Sequence, residues 1–527
     1  MPNLNYSIPP LGGLKQNLPP QLVQRHMAVE LSGLWPKDGQ IRRIPGKQKH
    51  SATQLAGGAV MAFATLALES GTKKLVAISQ DKAYTYNTST QAYDAIQDGT
   101  DFTATLDTPF ATAQFLDSTA ADILIISNYN DAVRKWTGAG NIATLGGTPP
   151  KAKLLCPYAN YLMMGYLDDG TPRPRDVQWS ALGNGESYPA GNTKTFKKSS
   201  DWLSALATMR NTLIVYKEKS ISLMEFVGGG LVFDVTENYI NNVGPLNQAA
   251  LVPYGEDSEE HYFLATDLHI YRFNGIDYKK VSPNIGTIIG NLHPSYKTRA
   301  CGYPIREEEK IIWAVPYGDD ETNKTLLILN VRDETWWIKD AEPVAIQSIG
   351  ETLLEQDYTW NTLPWDTWDE WDDPNGWDSR NLLSNAPLIL LGGADGYVRK
   401  FLDGVNDDGA NLPSRYRYPW DNLDGKDDTL KQVTKVIVEV KNTGSGSILF
   451  EAFIDHNAAN PVSLDETGNK SASVPLYGDD PNAEYVYHEI DTVILGYSFQ
   501  WKLSSTNTSW AGRILRVEYE IVGEGLD

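Results

Sequence analysis

Seven short apolar segments decide the fold: LVAISQ (75–80), ILIISN (123–128), YLMMGY (161–166), TLIVYK (212–217), HYFLAT (261–266), KIIWAV (310–315) and LILLGG (388–393). Each is followed by a polar turn and a second strand that usually carries an aromatic residue. These second strands are KAYTYN with Tyr84 and Tyr86, AVRKW with Trp136, DVQW with Trp179, ISLMEF with Phe226, LHIYRF with Phe273, LLILNV, and YVRKF with Phe401. The starts of the seven are 48, 38, 51, 49, 49 and 78 residues apart. Five of these six spacings lie near the roughly 40 to 50 residues of a four-stranded propeller blade, and the sixth contains an insertion. Alternating side chains and turn residues such as Gln80-Asp81-Lys82 and Ala394-Asp395-Gly396 read as hairpins. The expected fold is all-β: a β-propeller of about seven blades over residues 51–405. A plain run of sandwich hairpins does not need seven evenly spaced units.

Outward from this repeat, residues 1–50 hold seven basic and two acidic residues, with Pro9-Pro10, Gly12-Gly13 and Pro19-Pro20. Paired prolines remove amide donors and fix φ, so an extended basic N-terminal arm is expected, with one short amphipathic helix near 21–31. Within it, Arg42 and Arg43 are candidate interaction residues. Phosphate contact lacks the aromatic interleaving of single-strand binders, so pairing with acidic surface on a neighbouring chain or on the same chain fits them better. The sequence leaves open whether the seventh unit closes by borrowing a strand near Gln40 to Ile44.

The insertion, 355–387, includes EQDYTWNTLPWDTWDEWDDPNGWD (355–378), with eight acidic residues, no basic ones and five tryptophans. Trp360, Trp365, Trp368, Trp371 and Trp377 are candidates for an exposed docking loop, or for a cover on the flank of a blade. Residues 406–429 read as an acidic linker. Their aspartates raise the question of calcium, but no D-x-[DN]-x-[DN]-G register is satisfied, and a solvated connection is the plainer reading. Residues 430–527 alternate as QVTKVIVEVKN, GSILFEAFID, YVYHEIDTVI, YSFQWKLSS and RILRVEYEIV, which predicts an antiparallel β-sandwich.

Composition narrows function. The chain has 527 residues, 45 Lys plus Arg and 67 Asp plus Glu, for a net charge of −22. Two cysteines and seven scattered histidines cannot supply a disulfide framework or a zinc module. No stretch approaches the roughly 18 apolar residues of a membrane helix. A surface that grips nucleic acid throughout is disfavoured, because phosphate affinity rests on Lys and Arg. No G-x-S-x-G, P-loop, H-E-x-x-H or helix-opening G-x-G-x-x-G motif occurs; Gly228-Gly229-Gly230 sits between strands as a bulge or turn, and His488-Glu489 alternates across a strand. No catalytic residue, metal or cofactor is expected.

The head then carries a resemblance. Gly12-Gly13-Leu14, Pro19-Pro20, Ala28, Leu31 and Gly39-Gln40-Ile41-Arg42-Arg43-Ile44-Pro45-Gly46 resemble the start of propeller-containing virion structural proteins of tailed bacteriophages, the tail-nozzle, packaged-DNA-stabilisation and neck group. The insertion around Thr367-Trp368-Asp369 and a C-terminal sandwich are similar to features of the same group. Relatives often carry a third arginine where this chain has Arg-Arg-Ile before Pro45. The resemblance implies a homo-oligomeric ring, commonly of six, around the DNA exit channel of a virion assembled in the host cytoplasm. Its implied partners are other tail or neck proteins (adaptor, tail fibre or spike) and, transiently and non-specifically, genomic DNA. The acidic balance suits a conduit that repels phosphate. The rival from another class is a propeller glycosidase or carbohydrate-binding adhesin of a phage tail.

Overall fold

Apolar runs of six residues without alternation bury both faces of a strand, which requires neighbours on either side within the sheet and packing above and below it. A computed structural model describes residues 3–6, 11–37, 40–97, 99–352, 387–404, 406–506 and 510–524. In it the seven apolar segments form the second strand of seven four-stranded antiparallel sheets, and the strands after the turns form the third. Lys310–Val315 is buried at all six positions. Complete burial of each Val, Leu or Ile side chain contributes about 1.5–3 kcal/mol.

The first strands of the sheets are Val60–Ala67, Ala111–Leu116, Lys151–Tyr158, Leu203–Met209, Leu251–Tyr254, Cys301–Ile305 and Ile346–Thr352. Each lies against the first strand of the next sheet, and Ile346–Thr352 lies against Val60–Ala67. This cyclic series of four-stranded sheets is consistent with a β-propeller. One five-residue α-helix, Gly286–Gly290, interrupts it before the sixth sheet. No helix among the described residues is long and apolar enough to cross a membrane.

The last sheet is completed from the other end of the chain. Its fourth strand is Lys47–Lys49, in register Phe401 with Lys47, Lys400 with Gln48 and Arg399 with Lys49. The borrowed strand is thus a few residues beyond Gln40–Ile44. Gln40–Arg43 instead pairs with Leu34–Lys37 in a two-stranded hairpin.

The expectation of a free N-terminal arm is corrected. Asn3–Tyr6 joins Gly512–Glu524, Thr429–Lys441 and Tyr485–Gly496 in a four-stranded sheet. Glu30–Ser32 joins Ser414–Arg417, Phe499–Ser505, Ser447–Ile454 and Ser471–Pro475 in a five-stranded one. Inward residues of both sheets, among them Val436, Val438, Phe450, Trp501 and Val517, lie in one apolar cluster, as in a β-sandwich. The same cluster contains Leu14, Ala28 and Trp35 of the head and Trp313 and Trp336 of the sixth sheet. Only a single 3₁₀ turn, Pro20–Leu22, occupies the place of the amphipathic helix expected near 21–31. The boundary at 406–429 is likewise not a bare linker, since it supplies the strand Ser414–Arg417. The physical reason is edge pairing: strands at the end of a sheet leave unpaired amides and carbonyls, and the proline-punctuated head satisfies several of them.

Candidate functional site

Trp360, Trp365, Trp368, Trp371 and Trp377 lie outside the described residues. Their insertion leaves the last sheet between its first and second strands, where Thr352 and Leu388 are direct antiparallel partners.

Arg42 and Arg43 are on the strand Gln40–Arg43, which also touches the C-terminal end of the chain: Arg42 bridges Ala511, and the Arg43 amide donates to the Trp510 carbonyl at 3.2 Å. Arg43 is buried, and burial pulls its guanidinium below its usual value, opposed by the nearby Asp407 carboxylate. Arg43 is therefore an interior residue with the Asp407 carboxylate of its own chain nearby.

Asp407 opens onto the densest charged cluster in the interior. Lys339 Nζ is 2.8 Å from Asp407 and 2.7 Å from Glu342, and Lys47 Nζ also pairs with Glu342. All four side chains are at most 3% exposed. Burial raises the cost of each charge. For Glu342 that cost is outweighed by Lys339 and Lys47, which hold its carboxyl below the usual range. Burial opposes the charge on Lys339 too, but Glu342 and Asp407 keep it above its ordinary value. Lys47 is pulled down by burial despite Glu342, and Asp407 is pushed up by burial, which Lys339 only partly offsets.

Each member comes from a different element. Lys47 belongs to the closing strand, Lys339 ends the sixth sheet (Thr335–Lys339), Glu342 lies in the connection to the seventh, and Asp407 follows the seventh. Ion pairs thus fasten the closing strand to the sixth sheet and to the connection that follows the seventh. Gly46 stands beside it: its amide donates to Gly404 at 2.9 Å, and a Cβ there would run into the Asn406 carbonyl. The cluster is not legible in the sequence because Lys47 meets Glu342 across 295 residues and Asp407 meets Lys339 across 68. Its only signal was a lysine or glutamate placed in an otherwise apolar stretch.

Other aspartates in and just before the expected linker also meet cations of the chain, while Asp427 accepts from the Asn422 amide at 2.8 Å. Asp403 pairs with Lys400 at 2.8 Å, Asp408 with Arg399 at 3.0 Å, Asp421 with Arg25 at 2.7 Å and Asp424 with the buried Lys431 at 3.0 Å. Lys431 also donates to the carbonyls of Lys426 and Thr429, both at 2.8 Å, so an ammonium sits among the oxygens a cation would seek. Among the described residues no group of three or more His, Cys, Asp or Glu is placed to hold a metal. His488 and Glu489 point apart, Glu489 pairing with Lys435 at 2.6 Å, and Gly228 and Gly229 take φ of 73° and 74° in the turn between Ser220–Phe226 and Phe233–Asn241.

A second fastening spans the sheet series. The Arg299 guanidinium makes a two-pronged contact with Asp107, Nε to one oxygen at 2.6 Å and Nη2 to the other at 3.0 Å. Asp107 precedes the second sheet and Arg299 precedes the sixth, so the pair joins loops from non-adjacent sheets. Hydrogen bonding to Arg299 holds the Asp107 carboxyl below its usual range. Arg299 is held in place by the Glu321 carbonyl at 2.8 Å and by the Tyr296 ring, 4.1 Å from its guanidinium carbon.

No protein-family model matches the chain, and no curated protein matches it. Among solved structures, the extracellular domain of a one-component system from B. thetaiotaomicron is similar at 8% identity and a TM-score of 0.39, over 94% of this chain. This chain spans 63% of the length of that one. The BBS1N chain of a complex with ARL6DN is similar at 10% identity and a TM-score of 0.38, over 69% of this chain and 99% of that one. Likenesses at this level carry no argument about what the chain does.

Proposed function

We propose that the chain is a non-enzymatic structural component of a bacteriophage tail, nozzle or neck. In this reading it is a seven-bladed β-propeller joined to a sandwich, and copies of it form a ring around the DNA exit channel that helps retain and then conduct the genome. The observation that carries the reading is the fastening of the head. The residues on which the resemblance rests are those that weld the molecule: Leu14 and Ala28 are buried against the sixth sheet, Gly13 takes φ 72° against the Trp336 backbone, and Gly46 packs on Asn406. A stiff single block suits a part that transmits force between neighbours. The net charge of −22 suits a wall along which phosphate slides without binding, since like charges close together in a confined channel are poorly screened. Because Arg299 and Asp107 tie loops across the sheet series, the DNA path belongs to the shared axis of the ring and not to the centre of one propeller.

The test is electron microscopy and mass spectrometry of purified virions, alongside the isolated protein. The reading expects the chain in particles, in several copies at the tail or neck. A monomer absent from particles would overturn it.

A further inference from the structure

One end of the second, third and fourth sheets carries a row of aromatic rings that neither the fold nor the proposed function uses. Ala111 pairs with Ser127, Lys151 with Asp168 and Leu203 with Lys217, so these pairs lie at the same end of three consecutive sheets; Tyr129 and Trp202 follow or precede theirs, and Tyr166 sits at a bulge two residues before Asp168. There the Tyr129 and Tyr166 rings meet edge to face at 5.3 Å, and Tyr166 meets Trp202 edge to face at 6.2 Å. Tyr129 and Tyr166 have φ of 66° and 56°, and among the described residues they are the only tyrosines with left-handed backbone. A bulky side chain in that region is strained, and such strain persists where the surroundings over-determine it, often at ligand sites. Trp202 is 49% exposed. The two tyrosine hydroxyls and the Trp202 indole N–H make no hydrogen bond with other described residues.

Beside the row lies a cleft lined by Pro149, Pro150, Asp168, Asp169, Arg173 and Gln178. Its lining also includes Lys151, whose Nζ donates to the Asn130 carbonyl at 2.5 Å. Arg173 pairs with Asp169 at 2.9 Å and with Asp176 at 3.3 Å, and Lys153 sits 5.0 Å from the Tyr166 ring centre with Glu218 nearby. Lys153 therefore braces one face of Tyr166, leaving Trp202 and Tyr129 as platforms.

We propose that this row and cleft bind a neutral glycan. The exposed Trp202 ring and the half-buried Tyr129 ring offer flat apolar faces to the C–H side of a pyranose, while the phenol and indole tips, the outer carboxylate oxygens and the Gln178 amide match its hydroxyls. Asp168, Asp169 and Glu218 disfavour phosphate and polyanions. A peptide adding as a strand would need an open sheet edge, whereas Tyr166 lies in a strand paired on both sides and Tyr129 and Trp202 lie in connections. The proposal goes beyond the structural role and does not depend on it.

The experiment applies the purified full chain to an array of neutral oligosaccharides, with polygalacturonate and single-stranded DNA as anionic controls. Retention on one or more neutral glycans is expected, weakened about tenfold by Trp202→Ala or Tyr129→Ala, the loss of one stacked ring. Circular dichroism and thermal midpoints check that these variants stay folded, and Tyr129→Phe, which keeps the ring, should retain most of the binding. No retention on any neutral glycan, retention only of the anionic controls, or neutral binding that Trp202→Ala leaves unchanged would each overturn the proposal. Presence in or absence from virions would leave this result untouched.

Discussion

His261 is fully buried, with Nδ1 2.7 Å from the Tyr216 hydroxyl and Nε2 3.1 Å from the Thr208 carbonyl. Burial lowers its pKa from 6.5 to about 4. A folded value below the unfolded one means that its contribution is complete above pH 6.5 and is lost as pH falls towards 4. Between pH 7 and 4.5 this one group accounts for about 2–3 kcal/mol of lost stability. Urea unfolding at both pH values should therefore show the wild-type chain losing more than a His261→Gln variant. Equal losses would mean that the imidazole is not held neutral. Glu342 supplies the second prediction at this scale. Glu342→Leu leaves the Lys47 and Lys339 ammonium groups with Asp407 as their remaining carboxylate partner, and breaking a buried pair on one side costs about 3–5 kcal/mol. A urea midpoint within error of wild type would refute the fastening role. Neither residue was legible as special in the sequence. A histidine inside HYFLAT reads as one more strand position, and its neutrality is set by burial against the preceding sheet, which supplies Tyr216 and the Thr208 carbonyl.

At the scale of elements, what the sequence reveals follows burial. The second strand of each sheet is legible because it is covered on both faces and so runs largely apolar, and the third because of its alternation and its aromatic residue. Outer strands such as Ala143–Thr144, Thr193–Thr195 and Tyr278–Lys280 are short and largely exposed, and they carry no pattern to read. The closing strand Lys47–Lys49 reads as a polar basic stretch, because its lysines are chosen for Glu342 and Asp408 and not for an apolar face. Gly46 is the position on which that strand's approach depends. Gly46→Ala forces a methyl group onto the Asn406 carbonyl and should cost at least about 1–3 kcal/mol, seen as a lowered thermal midpoint. An unchanged midpoint would show that the closing strand can shift freely.

For the whole molecule, one apolar cluster runs from the head through the fifth, sixth and seventh sheets into the sandwich. The propeller-like series and the sandwich should therefore unfold together. Calorimetry of the full chain is expected to give one transition, and removal of residues 1–50 should abolish it by taking away strands from three sheets at once. Two separate transitions in the intact chain would show that the units are independent. The tryptophan-rich insertion is predicted to behave oppositely. Because Thr352 and Leu388 are already paired, replacing residues 355–385 with a short Asn-Gly turn should keep the thermal midpoint while weakening assembly or attachment. A collapsed chain would make those residues part of the core.

The sequence by itself determined the all-β class, the count and spacing of the central hairpins, the five longest C-terminal strands and the separation of a basic head from an acidic remainder. These properties are local: each depends on the period of apolar residues over half a dozen positions and on the turn between two neighbours. Pairing between distant residues is what makes the head an integral part of three sheets, buries Arg43, brings Asp407, Asp408, Asp421 and Asp424 to the chain's own cations, and sets Tyr129, Tyr166 and Trp202 side by side. Those facts depend on pairings between residues far apart in the chain. Unpaired strand edges and buried charges fix such pairings through the cost of leaving them unsatisfied, and that cost exists only once the partners are brought together.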